Sequence, residues 1–408
     1  MIFIALLAGA LSGVIINYLI PSNYVVDDII VQGVFYIVGQ GFIRLMRMLV
    51  VPLVFCSIIC GSMAVGDTKK LGSVGVKTLI FYLCTTALAI TVALSIANIF
   101  NPGKGLDMSQ IQVTSTVSET TQSMSMIETL LDIIPVNIFN SLSEGNMLQI
   151  IVFALILGVI LANMGDRVDI VKNFFGQFND IMMEMTMAVM KLAPIGVFCL
   201  IAEIGFEVFI PLLKYMFCVL LALAVQCFVV YLGLLKIFSG LNPFIFIKNF
   251  FPVMAFAFST STSNATIPMN IDTLAEKMGV SKKISSFTIP LGATINMDGT
   301  SIMQGVAVVF TAQAFGIPLD MMDYLTVIGT ATLASIGTAG VPSVGLITLT
   351  MVFNSVGLPI EGIALIMGID RILDMTRTAV NITGDAVCTT IVASWNKAVD
   401  RDVYYRRK

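Results

Sequence analysis

Long apolar stretches separated by short polar segments dominate the first half of the chain. Each is about 20 residues or longer, the length that a helix needs to cross the hydrocarbon core of a bilayer. Lipid offers no hydrogen-bond partners to open backbone, so the pattern predicts membrane-spanning helices. The stretches cover approximately residues 1–20, 34–65, 73–99, 146–165, 170–202 and 208–235.

The loops between the apolar stretches alternate in charge along the chain, as cytoplasmic and outside loops do in membrane proteins. The basic set includes Lys69, Lys70, Arg167, Lys172, Lys236, Lys248, Lys277, Lys282, Lys283 and Arg401. The acidic set is Asp27, Asp28, Glu203, Glu207, Asp320, Asp323 and Glu361. The alternation predicts that both termini lie in the cytoplasm. The Ser- and Thr-rich segment 101–127 is predicted to be an extracellular loop.

Two apolar stretches in the second half are each broken by small polar residues. Segment 243–279 is interrupted at 259–264, and segment 322–357 is interrupted at 335–342. By the charge alternation, the first begins and ends inside and the second begins and ends outside. A pair of broken segments in matching places is typical of transporters built from inverted repeats, and it predicts two re-entrant helical hairpins. The alternative is two helices whose small residues allow close packing.

Composition narrows the class of protein further. The chain is 57% apolar and 12% charged, whereas a soluble domain carries about 25% charged residues. Its net charge of -3 does not indicate a nucleic-acid partner. With no histidine, Ser-His-Asp hydrolysis and the HExxH metal site are excluded. An enzyme would lack its commonest acid–base residue, and no paired nucleophile and base stands out, so we expect a protein that is not an enzyme. Its seven cysteines are expected to be free thiols.

The clearest candidate chemistry lies near the end of the chain. Asp370, Asp374, Arg377, Asn381 and Asp385 follow one another at intervals of 4, 3, 4 and 4 residues, which sets them along one stripe of a helix. A charge at the bilayer centre costs about 2.5–3.5 kcal/mol on insertion scales, and such charges are retained where ligands and ions pass. The alternative is an internal ladder of ion pairs in which Arg377 binds Asp374.

These side chains suggest what the stripe would bind. Arg377 offers a planar fork that suits a carboxylate, and Asp374, one turn earlier, suits an ammonium group. Together they would fit a zwitterion with a second acid group. Asp385 and Asn381 offer hard oxygen ligands that suit a small cation.

A second candidate is the segment 292–300, of sequence GATINMDGT. Asn, Asp and Gly are poor helix formers, so the segment predicts an unwound turn at membrane depth, which is tolerated where it lines a cavity or binds ions. Asp298 has no basic residue near it in sequence and is expected to be compensated by a cation. The alternative, a simple kink, explains Gly299 but not Asp298. Thr85 and Thr86 form a third candidate, although paired hydroxyls also bond back to their own helix.

The motifs at Asn296–Thr300, at 335–342 and at Asp374–Asp385 closely resemble the dicarboxylate/amino acid:cation symporters, the glutamate transporter family. The match in order and spacing runs over nearly the whole chain. The resemblance implies an all-α integral membrane protein with eight transmembrane helices plus two re-entrant helical hairpins, arranged as inverted repeats. It also implies a homotrimer that works by an elevator-type mechanism.

The resemblance also implies a division of the chain into a scaffold and a transport part. The scaffold would comprise 1–70 and 101–202, that is, helices 1, 2, 4 and 5 with the extracellular loop. The transport part would comprise 71–100 (helix 3) and 203–396, which holds helix 6, hairpin 1, helix 7, hairpin 2 and helix 8. Residues 397–408 would form a cytoplasmic tail.

Site residues follow from the resemblance position by position. Substrate would be bound by Ser263, Thr300, Val341, Gly345, Asp374, Arg377, Thr378 and Asn381. One sodium site would use Gly292, Asn296, Asn381 and Asp385. A second would use Thr294, Ser335, Ile336 and Thr338, and a third Tyr82, Thr85, Thr86, Asn296 and Asp298. Some members of the family carry arginine at the first hairpin tip, where this chain has Ser261, and Arg371 is a candidate basic group near the site.

The function implied is import of glutamate or aspartate through the cell membrane, coupled to co-transported sodium ions (Na+). The partners would be the amino acid, the ions, membrane lipid and two further copies of the chain. Within the same fold, proton coupling or transport of cystine, a neutral amino acid or a C4-dicarboxylate remain alternatives. A gated channel and a membrane-embedded enzyme are the alternatives from other classes.

Overall fold

The structure is a computed structural model that describes residues 8–9, 11–12, 15–16, 25–66, 73–106, 134–192, 194–196, 198–199, 209–336 and 344–405. Regular structure in these ranges is helical, apart from one isolated bridge between Val280 and Val399. Most of the predicted first helix and of the predicted extracellular loop lies outside the described residues.

The helices of the first half begin and end close to the predicted bounds. A π-helical segment, Val25–Phe35, leads into α1 (Tyr36–Gly66). There follow α2 (Ser73–Phe100), α3 (Ile138–Glu144), α4 (Met147–Met164), a short 3-10 turn (Gly165–Val168) and α5 (Asp169–Met190). The stretch predicted over 170–202 is therefore helical in α5 only to Met190.

The next predicted helix contains an irregularity that its sequence does not reveal. It is built from α6 (Phe209–Ala224), a π-helical segment (Val225–Tyr231) and α7 (Leu232–Ser239). Segments of this kind inside α-helices are frequent at functional sites. Here it holds Gln226 and Tyr231, both of which are fully buried.

Nine helices make up the described second half: α8 (Pro243–Thr260), α9 (Ser263–Met278), α10 (Lys282–Ile295), α11 (Asp298–Ala314), α12 (Met321–Ser335), α13 (Val344–Ser355), α14 (Glu361–Met367), α15 (Asp370–Trp395) and α16 (Arg401–Tyr405). Both predicted interruptions coincide with the end of one helix and the start of another. The helices of each pair pack against each other.

The first of these breaks has a defined geometry. Ser261 ends α8 in the left-handed region, with φ of 54°, and α9 begins two residues later. Ser261 and Ser263 are buried, so this helix end lies inside the protein rather than in water. A buried tip favours the re-entrant interpretation over two complete spans, although entry from opposite faces of the membrane stays a prediction.

Two helices form the centre of the described molecule. Every residue of α11 except Gln313 is buried, and α15 is buried continuously from Arg377 to Ala393. A helix that is buried all round belongs to a core. These two helices pack on each other, and α2, α7, α8 and α10 pack around them.

A second group of helices is formed by α1, α4 and α5, in which α1 packs mainly against α4 and α5 and also contacts α13. Among the described helices, four continuous segments are long and apolar enough to cross a membrane: Ser73–Phe100, Gln149–Val189, Ile210–Ser239 and Pro243–Thr260. The assignment of the two groups to a scaffold and a transport part stays a prediction.

Candidate substrate and cation site

The predicted unwound turn is confirmed at the junction of α10 and α11. Asn296 leaves the helix with φ of -86° and ψ of 91°, and α11 starts at Asp298. The turn lies against the middle of α15, because the Asn296 side chain donates from Nδ2 to the Asn381 carbonyl oxygen (3.0 Å) and to Asp385 Oδ1 (2.9 Å). Asn296 therefore holds the turn and the charged stripe together.

Asn381 completes this junction from the other side. Its Oδ1 accepts a hydrogen bond from the Gly299 backbone N–H at 2.7 Å, and its Nδ2 lies 3.4 Å from Met297 Sδ. A Cβ atom built on Gly299 would lie 2.9 Å from the Arg377 carbonyl oxygen, closer than real Cβ contacts. Glycine is required here because the two central helices approach each other at this point.

The first predicted cation site is brought together by these contacts. A Cβ atom on Gly292 would overlap Asp385 Oδ1 and lie 2.6 Å from the Tyr82 hydroxyl oxygen, so Gly292 and Asp385 are neighbours. Asn296 Oδ1 is buried and has no hydrogen-bond partner among the described residues. The Gly292 carbonyl accepts the Asn296 N–H at 2.8 Å. The cluster thus holds one carboxylate and several neutral oxygens.

Asp298 is the second buried carboxylate of this region, and it is surrounded by neutral donors. Thr86 Oγ1 lies 2.6 Å from its Oδ1, while Gln226 Nε2 and the Tyr231 hydroxyl donate to its Oδ2 at 3.0 and 2.7 Å. No basic side chain forms an ion pair with Asp298 or Asp385 within the described ranges. Protein dipoles stabilise the Asp298 charge, but they do not neutralise it.

Thr85 and Thr86 of α2 bond back to their own helix, as the alternative interpretation predicts, and Thr86 also contacts Asp298. Thr85 Oγ1 and Thr86 Oγ1 donate to the Tyr82 carbonyl at 3.1 and 2.8 Å. A hydroxyl carries one proton, so Thr86 donates either to this carbonyl or to Asp298. Tyr82, Thr85, Thr86 and Asp298 therefore form one neighbourhood, as predicted for the third cation site.

Sequence reasoning missed Gln226 and Tyr231. The signal was available, because an amide in a continuous apolar stretch needs a partner when it is buried. Nothing in the sequence indicates the π-helical turns in which both residues stand, and the stretch was interpreted as a plain spanning helix.

Arg377 is deeply buried in the stripe, with 1% of its surface exposed. Its Nη2 lies 2.8 Å from Asp374 Oδ1 and 2.9 Å from Asp370 Oδ1. The ion-pair ladder weighed as an alternative is thus present, and it includes Asp370. Arg371 is half-exposed, and its Nη1 lies 3.9 Å from Asp374 Oδ2. Asp374, predicted to receive an ammonium group, is paired with arginine in this structure.

The Arg377 guanidinium also lies close to α13, which belongs to the second helix pair, α12 and α13. Its Nε and Nη1 have no hydrogen-bond partner in the described part of the chain. A Cβ atom built on Gly345 would lie 3.3 Å from Arg377 Nη1 and 2.8 Å from Thr300 Cγ2. Gly345, Thr300 and Arg377 are therefore close neighbours. Thr378, also buried, donates from Oγ1 to the Asp374 carbonyl at 2.9 Å.

Other predicted site residues are not joined by the described contacts. Thr294 bonds to Leu291 and Ser335 to Thr332, each within its own helix, and no hydrogen bond links Thr294 to Ser335 or Ile336 in the ranges described. Thr338 and Val341 lie outside the described residues. Ser263 is buried at the start of α9, and its carbonyl accepts from Thr266 at 2.6 Å. These assignments stay predictions.

Comparison with known proteins agrees with this architecture. The sequence profile of the Sodium:dicarboxylate symporter family matches residues 1–395. The chain belongs to this family. Members of a symporter family are membrane transporters, which agrees with the long apolar helices and with the expectation that the protein is not an enzyme.

Relatives within the family differ in the substrates and ions that their names give. The chain is 40% identical over 367 residues to the proton/sodium-glutamate symport protein of Bacillus caldotenax, covering 88% of this chain and 87% of that protein. It is 35% identical over 412 residues to the proton/glutamate-aspartate symporter of Escherichia coli (strain K12), covering 98% and 93%. It is 33% identical over 372 residues to C4-dicarboxylate transport protein 1 of Ralstonia nicotianae, covering 89% and 86%.

Proposed function

We propose that this symporter imports an acidic amino acid, glutamate or aspartate, together with sodium ions. The observation that carries the proposal is the buried Arg377 guanidinium, whose Nε and Nη1 have no partners among the described residues and whose Nη1 lies close to Gly345. A guanidinium fork binds carboxylates in a planar, bidentate geometry. Relatives named for glutamate and aspartate support the same substrate class.

Substrate binding would change which groups pair with Arg377 and Asp374 in the charged stripe. The side-chain carboxylate of the amino acid would take the free edge of the Arg377 fork, and its ammonium group would approach Asp374. Because Asp370 also lies 2.9 Å from Arg377 Nη2, Arg377 would keep an anionic neighbour when Asp374 turns to the substrate. Asn381, Thr378 and the start of α9 at Ser263 would hold the main-chain carboxylate.

Cations would bind where the buried acids lack basic partners. Asp385 with Asn296 would supply oxygen ligands for one ion, and Asp298 with the Thr85–Thr86 segment for another. A third site, at Thr294, Ser335, Ile336 and Thr338, is carried over from the family resemblance alone. Carboxylate, amide and carbonyl oxygens are the ligands that small hard cations prefer.

The unwound turn would couple the two binding events. Asn296 contacts Asp385, and Asn381 contacts the Gly299 backbone, next to Thr300 of the substrate space. An ion bound at Asn296 and Asp385 would therefore fix the turn that immediately precedes the start of α11, where Thr300 lies. Such linkage is reciprocal, so substrate would raise the affinity for the ion by the same factor.

The larger motions belong to the same proposal. The α12–α13 pair, which carries Gly345, would be the outer gate, and the protein would work as a homotrimer of elevator type. It would lie in the cell membrane with both termini in the cytoplasm. Eight spanning helices and two re-entrant hairpins would supply the inverted repeats.

The experiment that tests the function is uptake of radiolabelled glutamate or aspartate into proteoliposomes, with the sodium and pH gradients varied independently. We expect uptake to follow an inward sodium gradient at constant pH. Uptake that ignores sodium and follows a pH gradient would contradict sodium coupling but leave the substrate in place. Absence of uptake under both gradients would contradict the proposal that the substrate is an acidic amino acid.

The second candidate is a proton-coupled symporter or a C4-dicarboxylate carrier of the same fold. It is favoured by the relatives whose names include protons or C4-dicarboxylates, and a proton also neutralises a buried carboxylate. Competition by succinate, serine and cystine in the same assay separates the substrates. Asp374 favours a substrate with an ammonium group, so succinate is expected to compete poorly.

A further inference from the structure

An apolar groove of about 370 Å³ lies between α2, α7 and the end of α15. It is separate from the substrate space around Arg377. Its lining is hydrocarbon and aromatic except for Lys77, Cys84 and Thr85. Leu88, Phe238 and Trp395 in this lining are exposed in the chain, so the groove opens to the surroundings of the protein. For a membrane transporter, those surroundings are lipid or another protein surface.

The length of the groove fits one leaflet of a bilayer. The lining residues of α2 run from Lys77 to Leu88 at helical spacing. Eleven steps of about 1.5 Å make this wall about 16 Å long. Half of a hydrocarbon core of about 30 Å is about 15 Å. One lipid acyl chain therefore matches the groove in length as well as in polarity.

Lys77, the charged residue of the groove lining, lies near the start of α2, whereas Cys84 and Thr85 stand about two turns further along. Lys77 stands in the second turn of α2, and in the described ranges no hydrogen bond or ion pair engages its ammonium group. Trp395 ends α15 and makes an edge-to-face contact with Phe238, with ring centroids 5.7 Å apart. Tryptophan and lysine are the side chains that anchor a protein at the membrane–water interface. The loop charges predict this end to be cytoplasmic, where anionic lipids are enriched.

From this arrangement we infer that the groove binds an anionic phospholipid of the cytoplasmic leaflet, with one acyl chain along α2 and its phosphate at Lys77. The lipid lies against Thr85, next to Thr86, which contacts Asp298. The inference requires a membrane-embedded chain but not the proposed substrate. Charge complementarity at Lys77 selects an anionic lipid, and the apolar length selects a lipid over a free phosphate.

Trp395 provides a direct probe, since it is the only tryptophan of the chain. The purified protein is placed in nanodiscs that contain phosphatidylglycerol or phosphatidylcholine with brominated acyl chains, at matched mole fractions. Bromine quenches tryptophan fluorescence at short range. We expect phosphatidylglycerol to quench Trp395 at a mole fraction about fivefold lower, the factor that one lysine supplies near an anionic surface. Glycerol phosphate alone should not compete.

Matched variants assign the preference to the lysine. In Lys77→Gln, both lipids should quench Trp395 equally. In Lys77→Arg, the preference for phosphatidylglycerol should remain. The control is Lys214→Gln, since Lys214 is exposed on α6 and does not line the groove; this variant should behave like the parent. Equal quenching by both lipids in the parent, or a preference that persists in Lys77→Gln, would overturn the inference. So would absence of quenching by either lipid, because the groove would then be covered by protein.

A second measurement avoids the lysine variants if they fail to assemble. Cys84 lines the groove and is exposed, whereas Cys388, Cys218 and Cys227 are buried. A membrane-permeant maleimide should modify Cys84 about fivefold more slowly in phosphatidylglycerol than in phosphatidylcholine, if one lysine sets the lipid preference. Cys84→Ser identifies the label on this residue. Equal rates in the two lipids would contradict the site.

Discussion

The two buried charged clusters of this transporter differ in how their charges are balanced. Around Arg377, one cation faces two acids, Asp370 and Asp374, at 2.9 and 2.8 Å. Around the unwound turn, Asp298 and Asp385 receive hydrogen bonds only from neutral groups in the described ranges, among them Tyr231. The first cluster contains both signs of charge, and the second contains only acids with neutral donors.

Under the proposed function, this difference suits a different kind of ligand at each cluster. A buried charge is costly unless it is paired. The Arg377 cluster is paired only through Nη2, so the proposed amino acid would bind Nε and Nη1 with its acid group and approach Asp374 with its ammonium group. The acids at the turn have no basic partner in the described ranges, which is the reason for proposing that a cation binds there. Because Asn381 lies between the clusters, the two requirements meet at one junction.

The largest expected effect comes from removing the cation of the first cluster. Truncating one partner of a buried charge pair costs about 2–5 kcal/mol, so Arg377→Ala should lower glutamate uptake at least about 25-fold. We expect the protein to assemble, as gel filtration of the detergent-solubilised variant would check. Normal glutamate transport by this variant would remove Arg377 from the site.

A conservative variant sharpens this test. Arg377→Lys keeps the positive charge beside Asp370 and Asp374 but loses the planar fork. It should therefore assemble like the parent and still bind acidic substrates at least about tenfold more weakly, a difference of about 1.4 kcal/mol. If Arg377→Lys transports like the parent, the guanidinium geometry is not what selects the substrate.

Removing a charge from the second cluster should change the sodium dependence of uptake before it changes substrate affinity. Asp385→Asn keeps the size of the side chain but removes the charge that a cation compensates. We expect the sodium concentration for half-maximal uptake to rise about tenfold, which corresponds to the loss of about 1.4 kcal/mol. Substrate affinity at saturating sodium should change less. An unchanged sodium requirement would separate Asp385 from the ion.

A smaller effect is expected from a neutral donor to Asp298. Tyr231→Phe removes one hydrogen bond and leaves those from Thr86 and Gln226. One hydrogen bond is worth about 1 kcal/mol, so the sodium requirement of uptake should rise about fivefold or less. Tyr215→Phe is the matched control, because the Tyr215 hydroxyl is buried on the same long helix but contacts no carboxylate by hydrogen bond in the described ranges.

The smallest effect is expected at the edge of the first cluster. Arg371 is half-exposed, and its closest approach to Asp374 is 3.9 Å. Exposed ion pairs contribute about 0–1 kcal/mol. A value near the middle of this range, about 0.4 kcal/mol, corresponds to a change of about twofold in uptake by Arg371→Gln. A loss comparable to that of Arg377→Lys would show that Arg371, rather than Arg377 alone, holds the substrate acid.

Much of the architecture was predictable because it depends on local pattern. Apolar length predicted the helices, and runs of small polar residues predicted the helix ends at Ser261 and Ser335. Poor helix formers predicted the unwound turn at Asn296, and the spacing from Asp370 to Asp385 predicted one helix face. Each of these follows from the backbone preferences or the period of a single segment, so no neighbour was needed.

Only the tertiary structure decided which groups meet. It paired Arg377 with two acids, directed the rest of its fork toward Gly345, and brought Gln226 and Tyr231 to Asp298. These contacts join helices that are far apart in sequence, and the period of one helix cannot specify them. The sequence by itself determined that charges are buried on one stripe. The packing of that stripe against α11 and the π-helical segment determined which of them are balanced within the protein.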